Sequence, residues 1–414
     1  MRLRGMLFAA AMLLVASALV FVAMPQPALA QTEIHLGSTM AESGPFAPDV
    51  GPFRRLFDAW VADVNGRGGL MVKSAGKKLP LRFTMYDDKS DQKTAVKFYE
   101  KLITDDKVDF VLGPFSSPIT FAASTVAEKH KVPMPLGCAN DPRIFARNYE
   151  YIFATLETAL KWADPYLDMI KEEGKAKTIA FVTMDILNSK GITQGAVPAA
   201  KDRGLTVVAE ELAPPATTDF SPIIAKLKAL NPDIVWVSSF GAFASAFIKQ
   251  AKELNLNPRE FHVTHPTAGF YKSLGKDANY VTGDVIWTDV MTFPGQDYFK
   301  RLLKAAKIDP VEYPWAACHM WMFQMAEYAI EKAGSLDREA IKNALAKADF
   351  MTVSGPVKVR DLDFRGFKMH NIGSVPMFPM QFIDAVNNKV HLLMPKEFRT
   401  GPHLYPTAPW SDRK

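Results

Sequence analysis

Short apolar runs rich in β-branched and aromatic residues alternate with stretches of helical length along most of this chain, and few architectures accommodate that order. The candidate strands are 34–40, 81–86, 108–113, 132–136, 178–184, 206–210, 234–239 and 285–288. The segment 51–64 is the clearest helix, because Phe53, Leu56, Phe57, Trp60, Val61 and Val64 recur at the spacing of one helix face. It stops at Asn65-Gly66-Arg67-Gly68-Gly69. These glycines follow a helix instead of joining a strand to one, so they are a helix stop and not a dinucleotide-binding fingerprint. Val96, Tyr99, Leu102 and Ile103 form a second stripe, and 189–204, 220–230, 243–254, 314–333 and 336–348 are further helices. Such alternation needs crossover connections, hence parallel sheets covered by helices on both faces, the α/β class. One set of strand–helix units fills roughly the first half of the chain, and a second begins near Thr178. Open sheets of this class bind ligands beyond the carboxyl ends of their strands. That rule directs attention to the loops 40–48, 113–118, 136–142, 184–191, 238–241 and 264–269.

The first thirty residues stand outside this pattern. Arg2 and Arg4 precede an uncharged apolar run, and Ala28-Leu29-Ala30 supplies the small residues of a cleavage site. The segment reads as a secretory signal peptide cut after Ala30, which places the mature protein in the periplasm. No later stretch reaches the ~20 apolar residues of a membrane span. The remaining 384 residues exceed one ordinary core and imply two domains. Their charge, +3 once the two leader arginines are gone, is near balance and argues against a nucleic-acid partner. Cys138 and Cys318 are the chain's two cysteines. Buried free thiols are the expectation and a bridge is the alternative.

Gly113-Pro114-Phe115-Ser116-Ser117-Pro118 follows a strand and opens a helix. Ser117 fits the N-cap and Pro118 the first helical position. A helix start offers free N–H groups and the positive end of a dipole, and a serine hydroxyl beside them completes a cradle for a carboxylate. The loop after the next strand brings Gly137, which allows close backbone approach, and Asn140, which both donates and accepts. Phe46, Phe115 and Phe240 lie at or beside strand ends, where they could wall an apolar pocket. Asp87, Asp88 and Asp91 read as a solvated turn. His262 and His265 are close in sequence but face opposite ways on a strand, so no metal site is expected there. Catalytic signatures such as G-x-S-x-G, H-E-x-x-H and a phosphate-binding loop are missing, and no cofactor is expected.

At these loops the chain resembles the periplasmic leucine/isoleucine/valine-binding protein family, the branched-chain amino-acid group of type I periplasmic binding proteins. The marks are Ser43-Gly44-Pro45, Asp63-Val64-Asn65 with Gly68-Gly69, Tyr86-Asp87-Asp88 and the segment from Gly113 to Ser117. The resemblance implies two Rossmann-like αβα lobes joined by a three-segment hinge, with crossovers near Ala154, Asp284 and Gly373. Lobe 1 is then 31–153 plus 285–372, and lobe 2 is 154–284 plus 373–414. It also implies that Ser117 holds a ligand carboxylate, helped by Ser116, Phe115 and Phe46. Cys138, Ala139 and Asn140 add contacts from the next loop, and Asn188, Phe240 and Thr267 close over from the second lobe. The implied partners are a small organic carboxylate or amino acid and the membrane permease subunits of an ABC importer, with the protein a monomer and not an enzyme.

Three positions depart from the family's pattern. Ser90 and Ser116 stand where a disulfide often lies. The position near Asn188 lacks an aromatic tyrosine. The loop 264–269 carries no acid to pair with a ligand ammonium. Either Asp141 or Asp185 substitutes, or the ligand is not an α-amino acid; the second reading is favoured, because a buried ammonium without a partner is costly. The rival functions are a periplasmic sensor that hands its ligand to a receptor, and a secreted α/β hydrolase. An assembled nucleophile–base pair in the cleft would favour the hydrolase.

Overall fold

The computed structural model of the chain describes residues 31–413 apart from 51, 311 and 388. The expected signal peptide therefore lies outside the described residues. Helix–strand alternation builds two separate sheets. In the first, Ile34–Met40 lies between Leu81–Asp87 and Phe110–Val111, all parallel. Val111 and Gly113 donate backbone hydrogen bonds to Pro133 O at 3.2 Å and Pro135 O at 2.9 Å. These bonds carry the order on to Met134–Leu136 and its parallel partner Ile152–Ala154. Every residue of Ile34–Met40 is buried, as a central strand covered on both faces must be.

The second sheet has seven strands, in the order Lys389–Leu392, Phe378–Asp384, Thr282–Val285, Glu260–Val263, Ile234–Ser238, Thr178–Met184, Thr206–Ala213. The last five are parallel and the first two are antiparallel. The expected strand 285–288 falls three residues early, because pairing with Glu260–Val263 ends at Gly283 and pairing with Phe378–Asp384 ends at Val285, where the chain leaves the sheet. The strands Phe378–Asp384 and Lys389–Leu392 were not foreseen, since Pro376 and Pro379 break the apolar run that carries the first. Helix Phe53–Gly66 buries the predicted Phe53, Leu56, Phe57, Trp60 and Val64. Gly69 ends it at a φ of +91°, where a Cβ would stand 2.1 Å from Leu79 O, so only glycine fits.

Two of the segments that connect the sheets run side by side. Val375 N–H donates to Thr155 O at 3.2 Å, and Glu157 N–H donates to Val375 O at 2.9 Å. Gly373 is pressed so closely against this neighbour that a Cβ would meet Thr155 O at 2.0 Å. The tail beyond Pro395 is irregular, as expected, but it is firmly packed on the second sheet's side. Trp410 Nε1 donates to Leu256 O at 2.8 Å, and buried Arg413 donates to Asp277 O and Asn279 O at 3.1 and 3.2 Å. His403 bridges buried Glu260, at 2.5 Å, and Glu173, at 2.9 Å.

Candidate functional site

The helix tip is built by an unusual backbone. Ser116 holds φ 75° and ψ 146°, a conformation that suits glycine and costs an L-residue about 1–3 kcal/mol. Its buried hydroxyl has no hydrogen-bond partner. The helix runs Ser117–Lys129, so the cap position belongs to Ser116, whose side chain makes no capping bond, and Ser117 is the first helical residue instead of the expected cap. The turn at Ser116 thus starts the helix one position earlier than expected. Ser117 Oγ accepts from the Asn140 and Asp141 backbone N–H groups, each at 3.3 Å, which leaves its own O–H free to donate. Asn140 Nδ2 donates to Glu157 O at 2.9 Å, and Asn188 Nδ2 donates to Asn140 Oδ1 at 3.0 Å. That last bond joins the loop after a strand of the first sheet to the head of helix Leu187–Asp202 beside the second. Asn188 Oδ1 is buried and unpartnered.

These residues surround a narrow, partly open space of about 20 Å³. Of the expected set, Phe115, Ser116, Ser117, Cys138, Asn140, Asn188 and Phe240 line it. Phe46 stands against it, its ring centroid 5.9 Å from Phe115 and 5.2 Å from Phe240. Ala139 is buried beside the wall without forming it, and Thr267 lies off the cavity, its buried hydroxyl facing Asp49. Leu156, Trp162, His265 and Trp315 complete the lining and were missed. Trp315 could have been found, since it heads the predicted helix 314–333. Its indole N–H is buried without a partner. His265 was weighed only as a metal ligand. Burial pushes its pKa down to about 3, against the opposing hydrogen bond to Ser239 O, so the ring is neutral.

Neither candidate acid faces the cavity as a free carboxylate. Asp141 is fully buried, caps Arg143 N–H and is gripped by the Arg143 guanidinium at 2.8 and 2.7 Å. Asp185 is exposed and paired with Lys190 at 2.6 Å. The expected solvated turn needs correction. Asp88 is fully buried, accepts from Thr39 Oγ1 at 2.7 Å and from Ser90 N–H, and burial pushes its pKa up to about 6. Asp87 gathers the N–H groups of Glu42, Ser43 and Lys89, and Asp91 caps helix Gln92–Thr104. These carboxylates tie down the loop that carries Phe46, because loop N–H groups lacking a ladder need acceptors. Among the described residues no group of three side chains could hold a metal ion.

Cys138 Sγ lies 3.8 Å from His319 Nε2, a nucleophile beside a base. The His319 Nδ1 atom is buried without a partner, so nothing orients the imidazole as a working triad requires.

A family model described as periplasmic binding protein matches residues 33–375. The Leu/Ile/Val-binding protein homolog 7 of Brucella abortus is 25% identical over 339 residues, covering 77% of this chain and 82% of that one. The isoleucine complex of the branched-chain amino acid transporter substrate-binding protein LivJ from Streptococcus pneumoniae superposes with a TM-score of 0.72 at 20% identity. It covers 87% of this chain and 98% of the other. An ABC transporter solute-binding protein from R. palustris in complex with benzoate gives 0.68 at 20% identity, covering 84% and 93%.

Proposed function

The chain belongs to the periplasmic binding protein family, whose members bind solutes without catalysis, and on that footing we propose that it is the capture subunit of an ABC importer for a small aromatic carboxylate. The observation that carries the ligand class is the cavity wall. Phe115, Phe240, Trp162 and Trp315 supply aromatic faces, His265 is neutral, and no carboxylate lines the space. An ammonium group would find no counter-ion there. A carboxylate would find donors in the Ser116 and Ser117 hydroxyls and the Trp315 indole N–H. Phe46, Phe115 and Phe240 already pack ring against ring at this point, and a ligand ring would exchange these contacts for its own.

The lobes are 31–153 with 285–372 and 154–284 with 373–414, and the protein acts as a periplasmic monomer that presents its closed form to the permease subunits. Moving such a hinge from mostly open to mostly closed takes about 5.5 kcal/mol of preferential binding. Two charge-assisted hydrogen bonds at about 1.5–3 kcal/mol each, with enclosure of one ring at about 1.5–3 kcal/mol, reach that figure. The test is a thermal-shift and calorimetric panel of benzoate, 4-hydroxybenzoate, phenylacetate, leucine and isoleucine. Binding of at least one aromatic acid and of neither amino acid is expected. Stabilisation by leucine alone would overturn the assignment.

A further inference from the structure

The chain's two cysteines, 180 positions apart in sequence, meet at the wall of this cavity. Cys138 lines it from the loop after Met134–Leu136. Cys318 is fully buried in the first turn of helix Ala316–Ala333, and Cys138 Sγ lies against that same turn, 3.9 Å from Trp315 O and 3.8 Å from His319 Nε2. The backbones are already in contact. A Cβ on Gly137 would stand 2.4 Å from Cys318 O and 3.5 Å from Cys318 Cβ, so no side chain at 137 could allow this approach. The thiols are free in this structure, and His319 Nε2 lies against Cys138 Sγ.

The geometry points to a dithiol modification site: Cys138 and Cys318 close reversibly into a disulfide that remodels the ligand-facing wall. This goes beyond solute capture and does not depend on which solute is captured. The oxidant is a disulfide, either that of a protein thiol oxidase or a small-molecule one. Cys138, reached through the cavity, loses its proton to His319 Nε2 and attacks one sulfur of that disulfide, releasing the other as a thiolate. Cys318 then gives up its proton and attacks the Cys138 sulfur of the mixed disulfide, expelling the second thiolate. The departing thiolates take up the two protons. One S–S bond is broken and one formed, and two electrons pass from the cysteine pair to the oxidant. The order of attack follows from the site. Burial pushes the Cys138 thiol up, but the neighbouring Cys318 and His319 outweigh it and bring the thiol below its usual range. Burial holds Cys318 well above that range. Bridging draws the Cys138 sulfur toward the helix and ties the loop that carries Asn140 to it.

The experiment uses the full mature chain, reduced and then equilibrated with oxidised glutathione. Non-reducing peptide mapping is expected to recover the segments holding Cys138 and Cys318 as one cross-linked species. Thiol titration of the unfolded protein should fall from two to none and return after dithiothreitol, with Tm higher in the oxidised form. Two titratable thiols after oxidation, or glutathione retained on Cys138, would overturn the proposal. In single variants, Cys318→Ser should leave a thiol that reacts with dithiobis-nitrobenzoate at least about tenfold faster than the one left by Cys138→Ser. Equal rates would remove Cys138 as the entry thiol.

Discussion

Ser116 concentrates the conflict between stability and binding in one residue. Its backbone takes a shape that glycine would hold without strain, yet serine is present and its hydroxyl is aimed at no protein acceptor. Ser116→Gly should therefore raise the urea midpoint, by about 1 kcal/mol of stability, while weakening capture of an aromatic acid. A variant no more stable than the parent would show that the turn is not strained. Ser117→Ala removes a donor to a charged group and should cost about tenfold or more in affinity, read by calorimetry, because hydrogen bonds to ions exceed neutral ones. Unchanged affinity would take Ser117 out of the site.

At the scale of elements, the C-terminal strap carries the larger energies. His403 sits between two carboxylates, and although burial opposes its charge, Glu260 and Glu173 raise its pKa to about 9 from an ordinary 6.5. A histidine shifted upward stabilises the fold fully below pH 6.5, and the contribution is lost as pH rises through about 9. Unfolding free energy should decline across that window, and His403→Ala should cost about 3–5 kcal/mol by stranding the buried Glu260 carboxylate. A flat pH profile would contradict this. None of it was visible in the sequence, where the tail is a run of prolines and polar residues without period. Most of the parallel strands were legible because continuous apolar runs bounded by turns leave few alternatives, although the three-residue Ile152–Ala154 was missed. The antiparallel pair after Val375 was not legible, since proline interrupts its apolar run. The short helices Asp164–Glu173 and Gln296–Ala306 were overlooked, although in the second Phe299, Leu302, Leu303 and Ala306 recur at the spacing of one helix face. The site followed the same division. Residues at strand ends were found by rule, whereas Trp162 and Leu156 reach the cavity from a connecting segment that no local pattern marks.

At the scale of the whole molecule, Asp49 bears on the proposed hinge, because it stands between residues assigned to the two proposed lobes. It comes from the short helix Ala47–Val50 next to the first sheet and faces Thr267, which precedes helix Ala268–Leu274 beside the second. Burial pushes its pKa up to about 6 from 3.8, with the Thr267 hydroxyl opposing. A carboxyl raised in this way penalises the closed arrangement as pH climbs from 3.8 to 6 and leaves it unpenalised below. Small-angle scattering of the unliganded protein should show a more compact average at pH 4.5 than at pH 7, and Asp49→Asn should erase the difference. The same compaction in Asp49→Asn would dismiss the idea. The hydrogen bonds between Thr155 and Val375 bear on how such an opening travels. Two segments bridged side by side bend more easily about one axis than about the other. On the proposed hinge, a swing of the halves would then favour one rotation, like a cover turning on its spine, over twisting. On that hinge, the mouth that opens would expose the same rim each time.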